Sequence, residues 1–352
     1  MFRFAFSRPG FVTFKVDADR KLAGLDLRAT FARTSGISLG KVDGDNADQM
    51  AGELWSRLGD SDFDQLHVWQ RDARLPGERG FEPGVTPLAQ EIGQRIADRC
   101  PASKRLAVNR TAGRGQRVLD CVLVEPTEWW FGFHFVTSRV SRWPGGVPFE
   151  ADTEMISRSY LKMQEAIAWS QLPVNAQELC AEIGSSPGGA TQALLQRGLR
   201  VIGIDPAEMD PSLLLNPNFI HVRKRAADIK RREFRDVKWL FADSSVAPAH
   251  TLDSVESIVT DRNVHVRGLI LTLKLINWQL AEEIPRYVDR VRSWGFGYLK
   301  TRQLAFDRRE FCLVAMRSRS QRRKISRRAQ HSAAGKPLQF RPANSKAEPP
   351  ED

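Results

Sequence analysis

No apolar stretch in the 352 residues approaches the roughly 20 residues that a membrane-crossing helix needs. The opening segment, Met1-Phe2-Arg3-Phe4-Ala5-Phe6-Ser7-Arg8, lacks the apolar centre of a secretory signal, so a cytoplasmic, reducing location without a membrane partner is expected. Cysteine is scarce. Cys100, Cys121, Cys180 and Cys312 are far apart, which excludes a C-x-x-C zinc knuckle and a disulfide framework. Three of them, Cys121, Cys180 and Cys312, lie in apolar runs and are expected in cores. His67 and His134 show no metal-ligand spacing; both read as structural, and no metal is expected. No glycine-rich segment ends in Gly-Lys-Ser/Thr, and none is a clean G-x-G-x-x-G, which argues against a P-loop and against a nicotinamide site.

What the chain does have is positive charge, unevenly placed. The formal net charge is +11, of which residues 317–352 carry +7 from ten Arg or Lys against three acidic residues. That segment is also Ser- and Pro-containing and poor in apolar residues, so a disordered basic tail is expected. Such a balance suits a polyanionic partner but does not define chemistry.

The length allows two domains with proper cores. In the N-terminal half, short strands are expected at 2–6, 11–16, 118–125 and 129–136, with strand-like segments at 31–40 and 65–69. Helices are expected at 48–58 and 86–98, with a long Gly/Pro-containing loop from Arg71 to Val85 between strand and helix. This alternation predicts an α+β region. The Pro/Gly run Trp143-Pro144-Gly145-Gly146-Val147-Pro148 marks a domain boundary. After a helix at 156–170 the pattern becomes βα repeats, with strands at 179–183, 200–204, 219–222, 238–242, 268–274, 296–300 and 310–315 and helices notably at 189–197 and 280–293. Seven such strands predict an α/β fold built on a mostly parallel sheet with helices on both faces.

The first strand of that half ends in Glu182-Ile183-Gly184-Ser185-Ser186-Pro187-Gly188-Gly189 and then opens a helix. Glycines there allow a tight turn and close approach of a ligand, and ligands of open α/β sheets bind beyond the carboxyl ends of the strands. Asp205 ends the next strand, where an acid can accept both hydroxyls of an adenosine ribose. Asp228 follows the third strand and is expected near the adenine.

Five segments together resemble the FtsJ-like family of ribose 2′-O-methyltransferases, and most of all its RlmM-type members, which modify a cytidine ribose of large-subunit ribosomal RNA. They are Ser157-Arg158-Ser159-Tyr160-Leu161-Lys162, the glycine turn, Trp239-Leu240-Phe241-Ala242-Asp243 with Pro248 five residues on, Leu271-Thr272-Leu273-Lys274-Leu275, and Arg302 to Glu310. The resemblance covers about residues 155–316, more weakly the rest. It implies a Rossmann-like class I fold, S-adenosylmethionine as cofactor, and a Lys-Asp-Lys-Glu tetrad of Lys162, Asp243, Lys274 and Glu310. Lys274 is the candidate base. Glu182, Gly184, Ser185, Ser186, Pro187, Gly188, Gly189, Asp205, Asp228 and Asp243 are the expected cofactor residues. Glu182 departs from the Asp more usual in that place.

The resemblance further implies a ferredoxin-like domain over 1–60, a THUMP-like RNA-binding domain over 61–150, the methyltransferase domain over 151–316 and the tail over 317–352. The partner implied is RNA, large-subunit rRNA or its precursor, with a monomer favoured. Lys104, Arg105, Arg110, Arg114 and Arg117 form a basic stretch suited to phosphates, or an ordinary solvated loop. Trp129 and Trp130 are expected to pack rather than stack on bases. A base-amine methyltransferase would carry an Asn/Asp-Pro-Pro-aromatic motif where Asp243-Ser244-Ser245-Val246 stands, and a base-carbon enzyme a poised cysteine. The alternatives left are a ribose methyltransferase for another RNA, or an RNA-binding protein that keeps the fold with little activity.

Overall fold

Strands that are apolar at nearly every position must be covered on both faces, and those of the C-terminal half are. The computed structural model describes residues 2–17, 27, 29–101, 105–148 and 154–317. The tail beyond Arg317 and Lys104 of the basic stretch lie outside the described residues.

In the N-terminal half, β1 (Phe2–Arg8) and β2 (Phe11–Val16) form an antiparallel pair. A five-stranded sheet follows, from β3 (Ile37–Asp43), β4 (Gln65–Gln70), β5 (Ala107–Val108), β6 (Arg117–Glu125) and β7 (Glu128–Phe135), in the order β3-β7-β6-β4-β5. Helices α1 (Ala47–Leu58) and α2 (Pro87–Asp98) cover one face. Both are capped as their sequences dictate: Asn46 accepts from the amides of Asp48 and Gln49, and Thr86 from Ala89 ahead of Pro87. Leu54, Leu66, Val68, Ile96, Leu119, Cys121, Trp129 and Phe131 fill the core between helices and sheet. β3 and α1 share this sheet and core with 65–135, so the expected division at 60/61 falls inside one structural unit.

In the C-terminal half the elements are α3 (Ser159–Ser170), β8 (Leu179–Ile183), α4 (Gly189–Gln196), β9 (Arg200–Ile204), α5 (Pro211–Leu214), β10 (Phe219–Val222), β11 (Trp239–Asp243), α6 (Pro248–Val259), β12 (Gly268–Lys274), α7 (Ile284–Ser293), β13 (Tyr298–Arg302) and β14 (Glu310–Met316). The seven strands form one mixed sheet in the order β10-β9-β8-β11-β12-β14-β13, parallel except that β14 runs antiparallel to both its neighbours. Alternate residues separate its two cores. Ala181, Ile202, Leu240, Leu269 and Leu271 face α6 and α7, whereas Cys180, Val201, Phe241, Ile270 and Cys312 face α3 and α4.

The Pro/Gly run is not a loose connection. Gly145 and Gly146 are buried, and a Cβ on Gly145 would stand 3.0 Å from the Trp69 ring. Arg33 donates through Nε to the Gly145 carbonyl at 2.9 Å and forks onto Asp72 at 2.6 and 3.0 Å. Thr30 meets Thr301 across 2.6 Å and accepts from the Gln303 amide, so residues 30–33 and 144–146 join the two halves.

Candidate active site

The sheet order reverses at β8, with β9 on one side and β11 on the other, which opens a crevice at the carboxyl ends of those two strands. The glycine turn closes one wall. Gly184 has φ +77°, and a Cβ there would lie 2.6 Å from the Asp243 carbonyl oxygen, so only glycine lets this turn sit against the end of β11. Gly189 opens α4 directly under Ser157, whose Oγ would be 2.2 Å from an added Cβ.

The carboxylate of Asp205 accepts from the Ser186 amide at 3.2 Å and the Ala207 amide at 2.8 Å, fixing its position at the end of β9. It is partly exposed and keeps further acceptor capacity, as a ligand's vicinal hydroxyls require. Ser186 Oγ donates to the Glu208 carbonyl at 2.7 Å. Ser185 is buried against Met209, which together with Leu213 lies over Gly188.

Two expected cofactor residues are otherwise engaged. Glu182 is buried and accepts from Thr191 Oγ1 at 2.5 Å, tying β8 to α4; burial pushes its carboxyl up to about 8. The Asp228 carboxylate is half-exposed and paired with Arg225 at 3.0 Å.

The four residues of the expected tetrad all stand at the carboxyl edge of the sheet. Asp243 closes β11, Lys274 closes β12, and Glu310 opens the antiparallel β14 directly opposite Lys274. Lys162 reaches in from α3, 2.8 Å from Asp243 Oδ2 and 2.9 Å from Glu310 Oε1. Its side chain is 11% exposed. Burial opposes its charge, but Asp243, Glu310 and Asp307 outweigh burial and hold the ammonium well above the ordinary lysine range. Burial likewise opposes the charge of Glu310, and Lys162 outweighs it, so that carboxyl stays below its ordinary value. Lys162 is therefore a fixed cation at neutral pH. Lys274 is half-buried and, among the described residues, carries no side-chain ion pair or hydrogen bond.

Several participants have no counterpart in the sequence reading. Ser159 Oγ donates to Asp243 Oδ2 at 3.3 Å. Asp307 is fully buried, accepts from the Leu304 amide at 2.8 Å, and is raised well above the carboxylate range by burial. One turn beyond Lys162 on α3, Glu165 is buried beside Arg302 at 3.5 Å and accepts from the Ala305 amide. The i to i+3 spacing of Lys162 and Glu165 on an otherwise apolar helix face was the available signal.

Residues 155–284 match the FtsJ-like methyltransferase family. The similarity to that family covers little more than a third of the chain. Its Lys162, Asp243 and Lys274 lie within the matched span, and Glu310 lies beyond it. Ribosomal RNA large subunit methyltransferase M of Halorhodospira halophila is 31% identical over 188 residues, covering 51% of this chain and 53% of that protein. The protein of the same name from Xylella fastidiosa strain 9a5c is 28% identical over 275 residues, covering 75% and 71%. Against the first of these, the chain thus spans about half the relative's length. Among solved structures, a putative hemolysin from Streptococcus thermophilus aligns with TM-score 0.38 at 13% identity over 52% of this chain and 79% of that one.

In the N-terminal half, Trp129 is fully buried and Trp130 packs on Phe6 and Phe11, 5.0 and 5.5 Å between ring centres. Arg117 lies over the rings of Phe63 and Phe133. Arg105, Arg110 and Arg114 are exposed. Arg317, the first residue of the basic tail, donates to the carbonyls of Val259, Val266 and Trp294 and is part of the fold. No described helix is long and apolar enough to cross a membrane.

Proposed function

We propose that this chain methylates a ribose 2′-hydroxyl of RNA, using S-adenosylmethionine, with large-subunit ribosomal RNA as the substrate class and cytidine as the target nucleotide. The observation that carries the reading is the meeting of Lys162, Asp243, Lys274 and Glu310 at one edge of the sheet, beside a glycine turn at its switch point. The fit to the cofactor rests on Asp205, an accessible acceptor for ribose hydroxyls, and on the anionic end of β11. The cofactor supplies a methyl group made electrophilic by a sulfonium, so the residues present need only position and deprotonate the acceptor.

Lys162, kept charged by two carboxylates, is unsuited to take a proton. It holds Asp243 and Glu310 in place. Lys274 would take the 2′-hydroxyl proton at its Nζ while a bound cofactor would supply the methyl group to that oxygen. Only an uncharged amine can accept that proton. Alignment of hydroxyl and methyl at the sheet edge contributes by orientation. Residues 1–150 hold the RNA as a THUMP-like and ferredoxin-like region, with Arg105, Arg110 and Arg114 offered to phosphates.

The test is transfer of labelled methyl from S-adenosylmethionine to total RNA from cells lacking this gene, with nucleosides resolved by mass spectrometry. Wild type is expected to yield 2′-O-methylcytidine, and Lys274→Ala to lose about 10²–10⁴-fold in rate while keeping its fold. A methylated base would refute the tetrad chemistry. Absence of product on both naked RNA and precursor subunits would favour an RNA-binding protein without activity.

A further inference from the structure

On the face of the five-stranded sheet opposite α1 and α2, three side chains converge from three strands. His67 of β4 is register partner to Asp120 of β6, and His134 of β7 stands beside them, two positions along from Gly132, the partner of Asp120. His67 is fully buried, and the side chains of His134 and Asp120 are 9% and 10% exposed. The recess is lined by glycine: a Cβ on Gly36 would stand 3.3 Å from Asp120 Oδ2.

The hydrogen bonds fix the tautomers. His67 Nε2 lies 2.9 Å from the Arg110 carbonyl oxygen, and His134 Nε2 lies 2.8 Å from that of Ser141. A carbonyl oxygen only accepts, so each Nε2 carries its proton, and each neutral ring turns an Nδ1 lone pair the other way. His134 Nδ1 lies 2.6 Å from Asp120 Oδ2, a contact that either a proton on that nitrogen or a cation shared by the two satisfies. His67 Nδ1 and Asp120 Oδ1 are buried with no partner at all. One ligand atom from each residue lies within 4.8 Å of the other two.

We propose that His67, Asp120 and His134 bind one divalent transition-metal ion of the zinc(II) class. Two imidazole nitrogens and a carboxylate oxygen suit zinc, whereas magnesium and calcium prefer oxygen throughout. The carbonyls of Arg110 and Ser141 are the outer partners that metal-bound histidines commonly use. Bonds of about 2.1 Å in a tetrahedron set ligand atoms about 3.4 Å apart, so His134 Nδ1 and Asp120 Oδ2 must open from 2.6 Å while separations of up to 4.8 Å close. The ion fills the orphaned positions at His67 Nδ1 and Asp120 Oδ1 and takes the place of a proton between His134 and Asp120. Its role is structural. It pins β4, β6 and β7 beneath the segments carrying Arg110 and Ser141, which are themselves joined by Ala112 and Arg142 through two hydrogen bonds of 2.9 and 2.7 Å.

The experiment uses the full chain, stripped with chelator and titrated with Zn(II) against a chromophoric competitor, then with Co(II) for its visible spectrum. Wild type is expected to take up about one equivalent, and His67→Gln and Asp120→Asn to bind at least about tenfold more weakly. The Co(II) adduct should show visible d–d absorption without a thiolate charge-transfer band, which sets Cys100 and the other cysteines aside. Should His67→Gln fail to fold, the wild-type spectrum still decides. Uptake below about a tenth of an equivalent at micromolar zinc overturns the proposal. So does a thiolate band, or a folded His67→Gln that holds zinc as tightly as wild type. The first of these outcomes would leave His134 as an imidazolium paired with Asp120.

Discussion

Replacing Lys162 by methionine would leave Asp243 and Glu310 facing each other at the sheet edge with their shared cation gone. Removing one partner of a buried ion pair costs about 3–5 kcal/mol when the remaining charge cannot escape. Here it can escape, by protonation, and that route depends on pH. Keeping a carboxyl of ordinary pKa about 4.3 neutral costs about 5 kcal/mol at pH 8 but only about 1 kcal/mol at pH 5. In the wild type the lowered Glu310 contributes stability that is present above its ordinary value and lost as pH falls through the lowered one. In the variant, burial, the largest influence on that carboxyl, is opposed only by the Arg308 amide and the charge of Lys274, so its contribution shifts towards being present below the ordinary value and lost as pH rises. The gap between the two proteins should therefore widen with pH, from about 1–2 kcal/mol near pH 5 to about 3–5 kcal/mol near pH 8. Urea unfolding followed by tryptophan fluorescence at three pH values measures it, and comparing variant with wild type cancels the titrating groups remote from Lys162. A gap that stayed constant across pH, or that remained below about 1 kcal/mol at pH 8, would refute the ion-pair account.

Glu182 gives the opposite pH signature within the wild type: its carboxyl is raised to about 8, so its contribution is full below the ordinary value of 4.5 and lost as pH rises through about 8. Glu182→Gln should match wild type in urea midpoint near pH 5 and exceed it at and above about pH 8; coincident midpoints throughout would contradict the assignment. Asp205→Ala should weaken S-adenosylmethionine binding by about 1.5–3 kcal/mol, read by calorimetry, and an unchanged Kd would remove Asp205 from the site. Gly145→Val should destabilise the chain by about 2 kcal/mol or more, since φ is +59° and the new Cβ meets Trp69, and a wild-type melting temperature would show that the run between the halves has room to spare.

The strands of the C-terminal half were legible because their burial on both faces writes itself as unbroken apolar runs, as in Gly268–Lys274 and Glu310–Met316. Boundaries shifted where backbone chemistry intervened. The helix expected at 280–293 begins as a 3-10 stretch over Trp278–Glu283, and α7 starts only at Ile284, next to Pro285. The strand expected at 296–300 is displaced to Tyr298–Arg302, after the turn at Gly295 and Gly297. The tetrad residues were nameable from motifs, but pairing Lys162 with both Asp243 and Glu310 depends on strand order, which no local pattern contains. Asp228 was placed near the adenine from its position after β10, yet Arg225 three residues earlier holds its carboxylate. Glu165 went unread, and Arg302 and Asp307 were read only as part of the closing motif, because a buried charge looks like a surface one until its partners are known. The same holds for His67 and His134: strands pairing side by side bring them together, while spacing along the chain keeps them apart.

The placement of β14 between β12 and β13 has a consequence for how the chain is made. It is the last described strand, yet it enters the sheet between two that precede it, and it brings Glu310 to a lysine 148 positions earlier. A nascent chain lacking 310–316 has an open seam beside β12 and a lysine without one of its two anions. Contacts of such long sequence separation form late. Sealing the sheet and completing the charge cluster are thus a single event, and a chain interrupted in synthesis before that strand emerges would leave Lys162 with Asp243 alone.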